Sequence, residues 1–294
     1  MSIARLIADK EQFDSVADAF GESLMRVGVG PHTVDLIDES SGLYEVRAVA
    51  GSCAALVTAC DVFFVDADLL VSEHPPEIPL LFVSDMDSTM IGQECIDELA
   101  DYAGIKGKIA GITERAMLGE LDFQSALTQR VALLGGLEES AIGRCLTERI
   151  IPTPGAKVLS ETLKAHGCRN VLVTGGFHHF ADPVAERLGF DRVVGNRLGV
   201  AKGRLTGALE GPISDASTKL AVLREEALKL GEGAALLATG DGANDIPMIE
   251  AATYGFAYRA KPKARSAANG RINGGDLTVI LTLLGIPRAD WVGA

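Results

Sequence analysis

Three segments of the chain are apolar at nearly every position and then end in polar or glycine residues. They are "PLLFVS" at 79–84, "RNVLVTGG" at 169–176 and "AALLATGDG" at 234–242. A strand without alternation of polar and apolar residues is buried on both faces, as in a parallel sheet. These segments therefore predict three strands of a parallel sheet.

Helical segments separate these strands. Thr153-Pro154 opens "GAKVLSETLKAH", which ends at Gly167, and "ADPVAERL" and "DASTKLAVLREEALKL" end before Gly189 and Gly231. Proline at the start and glycine just past the end are typical helix boundaries. Strands that alternate with helices predict βαβ units and an α/β fold with a doubly wound, Rossmann-like parallel sheet.

The residues that end the three predicted strands carry polar chemistry. Asp85, Thr174 and Asp241 each stand at the carboxyl end of a separate strand. Ligands bind beyond the carboxyl ends of the strands in such sheets. We therefore expect these three side chains to converge on one crevice.

The first quarter of the chain predicts a separate unit. Residues 1–75 combine short apolar runs with a helical stretch near 11–27, which indicates a small N-terminal α/β domain. "SEHPPEIP" at 72–79 follows, and its three prolines resist regular structure. A domain boundary is predicted there, followed by a second domain over residues 80–294.

Within the second domain, residues 92–149 interrupt the alternation with helices only. "ECIDELADYAG" and "DFQSALTQRVALLGG" have apolar residues at helical spacing, and Asp122 is a predicted N-cap. A helical insertion after the first core strand is placed to cover the crevice as a cap. The core is then formed by residues 80–91 and 150–294.

Composition narrows the classes of partner. The 294 residues carry a net charge of -13, which disfavours nucleic acid and anionic membranes as partners. The five cysteines contain no CxxC pair, as expected of a reduced chain without a structural zinc site. No apolar signal segment is visible at the N-terminus, so a cytoplasmic location is predicted.

Carboxylates accumulate at the predicted crevice. Asp85 and Asp87 lie one residue apart in "DMDST", and "GDGANDIPM" adds Asp241 and Asp245. Carboxylates clustered without histidine or cysteine suit a hard cation, and Mg²⁺ best when a phosphate also binds. The cation would offset the repulsion between the acids. The alternative is an ordinary Asp/Ser-rich turn after a strand.

Two features suit an anionic phosphate group. Thr174-Gly175-Gly176 supplies a hydroxyl and unobstructed backbone N–H groups at a strand end. Lys219 lies early in a predicted helix, where its ammonium could reach the same group. A common strand-to-loop turn and a solvated lysine on a helix surface are the alternatives.

In order and spacing, "DMDST", "TGG", Lys219 and "GDGAND" resemble the four motifs of the haloacid-dehalogenase-like (HAD) phosphohydrolases. Within that superfamily the chain resembles the phosphoserine phosphatases, through "DMDSTMIGQECIDELA", "TERAMLGELDFQSALTQRVALL", "VTGGFHHFA" and "TGDGANDIPMIEAA". The resemblance covers roughly residues 80–285. It implies hydrolysis of the small molecule O-phospho-L-serine to L-serine and phosphate, the last step of serine biosynthesis.

The resemblance also implies roles for single residues. Asp85 is the nucleophile that forms an aspartyl-phosphate. Asp87 is the general acid and then the base. One Mg²⁺ ion is held by the Asp85 side chain, the Asp87 backbone carbonyl and Asp241, with Mn²⁺ as a substitute. The phosphate-binding residues implied are Thr174, Gly175, Lys219 and Asn244.

Two charged residues of the cap suit a zwitterionic substrate. Arg130 shares a predicted helical face with Phe123 and Leu127, and its guanidinium can bind a carboxylate in a bidentate manner. Glu94 can bind an ammonium group. The resemblance assigns the same roles and adds Met117 and Phe123 as apolar walls. The alternatives are an arginine extending along an apolar surface to solvent and an ordinary acid in a first helical turn.

Other functions stay open on the sequence alone. They are a sibling phosphatase or phosphotransferase for another phosphomonoester, a non-catalytic sensor of phosphorylated metabolites, and an oxidoreductase, although no GxGxxG follows a strand. His178 and His179 have no partner at metal-ligand spacing and are expected to be structural or to face the lid. The role of residues 1–75 and the oligomeric state, including a homodimer, are not determined.

Overall fold

The computed structural model describes residues 1–117 and 120–294, except for the side chain of Met117. Its strands are β1 (Ser2–Ile7), β2 (His32–Asp38), β3 (Leu43–Ala48), β4 (Asp68–Ser72), β5 (Leu81–Ser84), β6 (Arg169–Phe177), β7 (Arg192–Ala201), β8 (Arg204–Glu210), β9 (Leu236–Gly240), β10 (Tyr254–Tyr258) and β11 (Gly270–Ile272). Its α-helices are α1 (Lys10–Arg26), α2 (Cys53–Phe63), α3 (Cys95–Tyr102), α4 (Lys106–Met117), α5 (Phe123–Leu133), α6 (Ser140–Glu148), α7 (Ala156–Ala165), α8 (His178–Leu188), α9 (Ala216–Leu230), α10 (Ile246–Ala251), α11 (Pro262–Ala267) and α12 (Val279–Leu284).

These strands form one sheet in the order β2-β3-β1-β4-β11-β10-β9-β5-β6-β7-β8. The strands from β11 through β7 run parallel to their neighbours, and antiparallel strands flank them on both sides. The predicted α/β fold with a parallel central sheet is confirmed. The three strands predicted from unbroken apolar runs are β5, β6 and β9, and β5 lies between the other two.

Strand β5 shows why its sequence does not alternate. Phe82 packs into a hydrophobic cluster on one face of the sheet, whereas Leu81 and Val83 pack into a separate cluster on the other face. All three side chains are fully buried. Helices therefore cover both faces, and polar residues are displaced to the end of the strand, where the candidate site begins.

The N-terminal residues join the core sheet directly. Strands β1 to β4 pack on α1 and α2 around their own buried apolar cluster. Strand β4 also pairs antiparallel with β11, with Leu70 opposite Gly270. Residues 73–80 between β4 and β5 contain no helix or strand. The division of the chain into domains near this segment stays a prediction.

The inserted residues 92–149 contain α3 to α6, as the helical spacing predicted.

The antiparallel hairpin of β7 and β8 was not predicted. Its turn is Lys202-Gly203, and both residues have positive φ. The hairpin supports the inserted helices, because the Arg204 guanidinium donates to the Gly136 carbonyl at 2.7 Å.

Two predicted boundaries differ from the structure. Helix α8 begins at His178 rather than at Ala181, because the chain enters the helix directly after β6. The apolar run "DVFFVDADLL" is split between the end of α2 and the start of β4, with a turn at Val65-Asp66. In the described part of the chain, none of the helices is both long and apolar enough to cross a membrane.

Candidate active site

The carboxyl ends of β5, β6 and β9 open into one cavity of about 220 Å³. As the topology predicted, Asp85, Thr174 and Asp241 lie together there. The residues that line the cavity come from the core and from the cap: Asp85, Asp87, Glu94, Ile96, Phe123, Leu127, Arg130, Thr174, Gly175, Gly176, Phe177, Asp241, Gly242, Asn244 and Lys261. Each predicted site residue is therefore in this lining except Lys219, which lies beneath it.

The Asp85 carboxylate is anchored through one oxygen. The Met86 backbone N–H donates to Oδ1 at 2.8 Å, and the Lys219 ammonium lies 2.7 Å from the same atom. No donor from the described residues reaches Oδ2 of this cavity-lining side chain. The second oxygen of this anchored carboxylate is therefore available to bind a ligand or to attack a substrate.

Lys219 is almost fully buried between two acids. Its Nζ lies 2.7 Å from Asp85 Oδ1 and 2.6 Å from Asp245 Oδ1. Burial by itself would lower the pKa of this ammonium, but the two carboxylates outweigh it and the pKa is raised. Lys219 comes from the first turn of α9, which Asp215 caps. The alternative of a solvated surface lysine is wrong.

Asp245 shapes the loop after β9. Its Oδ2 accepts the backbone N–H groups of Gly242 at 2.9 Å and Asp241 at 3.2 Å, while Oδ1 binds Lys219. The sequence suggests Asp245 only as one more carboxylate in "GDGAND". Its role as the residue that ties this loop to Lys219 depends on long-range geometry, which no motif spacing reveals.

The acids of the site form a group suited to a cation. Carboxylate oxygens of Asp85, Asp241 and Asp245 lie within 4.8 Å of one another. Burial, then repulsion from Asp245, raises the pKa of Asp241 to about 6, and the same two causes raise the pKa of Asp85 well above its ordinary value. An all-oxygen set of this kind fits a hard divalent cation. The Asp87 backbone carbonyl accepts no hydrogen bond from the described residues, so it is also available.

Asp87 faces the cavity in a half-buried position. Burial, then repulsion from Glu94, raises the pKa of its carboxyl to about 7. The Cys95 backbone N–H donates to its Oδ1 at 3.4 Å. A carboxyl group with a pKa near neutrality can release and take up a proton, as general acid–base catalysis requires. The following residue, Ser88, has a φ of 54°, an uncommon conformation for a residue with a side chain.

The C-terminal part of β6, at Thr174-Gly175-Gly176, offers a narrow polar cradle. The Thr174 hydroxyl accepts the Gly176 N–H at 2.8 Å. A Cβ on Gly176 would lie 3.0 Å from Asp87 Oδ2, and a Cβ on Gly175 would lie 3.2 Å from the Phe123 ring. Glycine is therefore needed for close approach at both positions, and the exposed backbone can face a ligand.

The cap supplies the opposite wall. Arg130 is half-buried there, and its buried Nε has no hydrogen-bond partner among the described residues. Burial lowers the pKa of its guanidinium. Glu94 Oε1 accepts the Ser88 hydroxyl at 2.7 Å. Phe123 and Leu127 add apolar surface, whereas the Met117 side chain lies outside what the structure describes.

The tandem histidines stand apart from the cavity. His178 Nδ1 lies 2.7 Å from Asp182 Oδ1 at the start of α8. His179 Nδ1 is buried without a partner among the described residues, and burial lowers the pKa of this side chain. Neither lines the site. Ile96, Phe177 and Lys261 do line it; they lie in segments that resemble the family, but the sequence predicted no role for them.

Comparison with known proteins agrees with this arrangement. A family model described as haloacid dehalogenase-like hydrolase matches residues 82–250, more than half of the chain. The chain belongs to the haloacid dehalogenase-like hydrolase family. The matched range includes Asp85, Thr174, Lys219 and Asp245, which meet at the cavity and beneath it.

Within this HAD family the chain is similar to proteins named phosphoserine phosphatase. The one from Archaeoglobus fulgidus is 44% identical over 208 residues, which cover 70% of this chain and 60% of that relative. The one from Albidiferax ferrireducens is 44% identical over 225 residues, covering 73% of this chain and 95% of the relative. The chain thus spans about three fifths of one relative and nearly all of the other.

A solved structure extends the HAD likeness to the N-terminal residues. The crystal structure of a HAD family hydrolase from Salmonella enterica serovar Typhi matches with a TM-score of 0.83 and 27% identity. The match covers 97% of this chain and 99% of that one. The arrangement of β1 to β4 beside the HAD core is therefore shared with a second protein.

Proposed function

We propose that this chain is a Mg²⁺-dependent phosphoserine phosphatase, which hydrolyses O-phospho-L-serine to L-serine and phosphate. The observation that carries the proposal is the pairing, in one cavity, of an anchored Asp85 carboxylate with the Arg130 guanidinium of the cap, whose buried Nε has no partner in the described part of the chain. Asp85 supplies the reactive group and Arg130 the counter-charge for a substrate carboxylate. The names of the relatives support this choice of substrate.

The substrate is a zwitterion with a phosphate at one end. The Thr174 hydroxyl, the Gly175 N–H and the Asn244 side chain would bind the phosphate oxygens at the core. Arg130 would bind the carboxylate and Glu94 the ammonium at the cap. A sugar phosphate would leave both of these charges without a partner, which is costly for groups removed from water.

The cation site would be formed by Asp85, Asp241 and the Asp87 backbone carbonyl. Asp245 is already engaged by Lys219 and two N–H groups, so we assign it to positioning. When bound, Mg²⁺ supplies positive charge that offsets the repulsion between carboxylates and phosphate. Mn²⁺ would fit the same oxygen ligands.

The protein residues would carry the chemistry in two steps. The Asp85 Oδ2 atom attacks phosphorus, the bond to the serine oxygen breaks, and Asp87 gives its proton to that oxygen. Asp87, now ionised, takes a proton from water, whose oxygen attacks the aspartyl-phosphate and releases phosphate. Lys219 holds Asp85 in place throughout. The reaction is the final one of serine biosynthesis.

Phosphate release from O-phospho-L-serine tests the proposal. We expect turnover with Mg²⁺, loss of turnover with EDTA that Mg²⁺ or Mn²⁺ restores, and loss in Asp85→Asn. Arg130→Ala should weaken the use of phosphoserine, and Arg144→Ala, at an exposed position of α6, is its control. Hydrolysis of p-nitrophenyl phosphate without hydrolysis of phosphoserine would indicate a related phosphatase that acts on another phosphomonoester. Binding of phosphoserine without any hydrolysis would instead support a sensor.

A further inference from the structure

Lys261 is a solvent-exposed cation at the mouth of the active-site cavity. It lines that cavity and also a second cleft of about 460 Å³, and Asp241 is the other residue that the two share. The second cleft is bordered by Arg259 and by residues on both sides of the inserted cap, such as Ser88 and Thr153. Lys261 therefore stands between solvent and the site.

The backbone fixes this position. The Lys261 N–H donates to the Asp241 carbonyl at 3.1 Å, which ties the start of α11 to the loop that carries a candidate metal ligand. The side chain itself is exposed. In residues 1–117 and 120–294, no carboxylate forms an ion pair with its ammonium.

The other cations of the site are placed differently. The Lys219 charge is held by Asp85 and Asp245 beneath the cavity, and Arg130 belongs to the cap wall. The chain as a whole carries a net charge of -13, and four of the residues that line the cavity are acids: Asp85, Asp87, Glu94 and Asp241. An approaching phosphate dianion thus meets a negative field in which Lys261 is an uncommitted positive charge.

We propose that Lys261 captures the phosphate group of the incoming substrate and directs it to the Thr174-Gly175 cradle. The inference rests on the proposed function, because it takes the substrate to be a phosphomonoester. A single charge at the rim of a charged site changes the rate of association and its salt dependence more than the chemical step. Lys261 is therefore a substrate-capturing residue rather than part of the bond-breaking machinery.

The test compares Lys261→Met with Lys263→Met. Lys263 is exposed on α11, two residues after Lys261, and does not line either cleft, so it controls for the loss of one positive charge. We expect Lys261→Met to raise KM for O-phospho-L-serine by about threefold to tenfold at low salt, with kcat unchanged. The dependence of kcat/KM on salt should become flatter in Lys261→Met and stay as in the wild type in Lys263→Met.

Binding of inorganic phosphate, measured by calorimetry with Mg²⁺ present, separates this inference from the choice of substrate. Weaker phosphate binding in Lys261→Met than in Lys263→Met supports capture even if phosphoserine is not the substrate. Equal KM, salt dependence and phosphate affinity in the two variants would overturn it. A fall in kcat at unchanged KM would also overturn it, because Lys261 would then act on the chemistry.

Discussion

The ammonium of Lys219 and the carboxylate of Asp85 form a buried ion pair, with Nζ 2.7 Å from Oδ1. Asp245 approaches the same ammonium from the loop after β9, so one lysine is shared by two acids that come from different parts of the chain. A charge buried in this way contributes to the fold only while its partners remain. The pair therefore links the stability of the core to the placement of Asp85, the proposed nucleophile.

Replacing Lys219 should destabilise the folded protein. Lys219→Met leaves Asp85 and Asp245 without their shared partner, and we expect the free energy of unfolding near neutral pH to fall by about 3–5 kcal/mol. Urea unfolding measures this change in the free energy of unfolding. Arg224→Met, at an exposed position of the same helix without an ion pair among the described residues, should have little effect on stability. Equal stability of the two variants would contradict the prediction.

Metal binding should weaken as the pH falls. Burial and Asp245 raise the pKa of Asp241 to about 6, and a carboxylate must be ionised to bind a metal. Protonation is therefore slight above that pKa and competes with the metal below it. We expect the dissociation constant for Mg²⁺ to rise by about tenfold per pH unit below the pKa of this group.

Calorimetric titration of Mg²⁺ at several pH values between about 8 and 5 checks this expectation. Asp241→Asn should bind Mg²⁺ weakly at every pH. A dissociation constant of the wild type that does not change over this range would show that Asp241 is not a ligand.

The phosphate cradle should not tolerate a side chain at Gly176. A Cβ there would lie 3.0 Å from Asp87 Oδ2 and 3.1 Å from Thr174 Oγ1, so both groups would have to move. We expect Gly176→Ala to lower kcat by about tenfold to hundredfold, since small displacements of catalytic groups are costly. Gly143→Ala, where an added Cβ meets nothing within 4 Å, is the matched control. Similar steady-state kinetics in both variants would refute the expectation.

Asp68 should be important for the junction between the N-terminal strands and the core. Its carboxylate accepts the backbone N–H groups of Asn273, Gly274 and Gly275 at 2.6, 3.1 and 2.9 Å. We expect Asp68→Ala to reduce the free energy of unfolding by about 2–3 kcal/mol, because these donors lose their acceptor. Denaturant unfolding of Asp68→Ala is compared with that of Asp66→Ala, a substitution at an exposed position. Equal unfolding midpoints would contradict the prediction that Asp68 stabilises this junction.

Local sequence patterns were sufficient to predict the central strands of the sheet. Residues such as Leu81, Phe82 and Val83 lie on both faces of one strand, so their unbroken apolar run marks a buried parallel strand without further context. Since the carboxyl ends of parallel strands share one edge, the meeting of Asp85, Thr174 and Asp241 also followed from sequence.

Features that depend on long-range pairing were not predictable in this way. The contact of β4 with β11 joins residues about two hundred positions apart, and Leu70 carries no signal of its partner Gly270. The β7–β8 hairpin turns at Lys202-Gly203 without a strong alternating pattern on either side. Lys261 and Asp245 gain their importance only from the folded positions of neighbouring loops.

The most direct measurement is the substrate preference of wild type and Arg130→Ala. It compares kcat/KM for O-phospho-L-serine with kcat/KM for p-nitrophenyl phosphate, which has no carboxylate. We predict that the wild type prefers phosphoserine, and that Arg130→Ala lowers this preference by about tenfold to hundredfold while the aryl phosphate is still hydrolysed. Equal losses on both substrates, or a wild type that ignores phosphoserine, would contradict the proposed function.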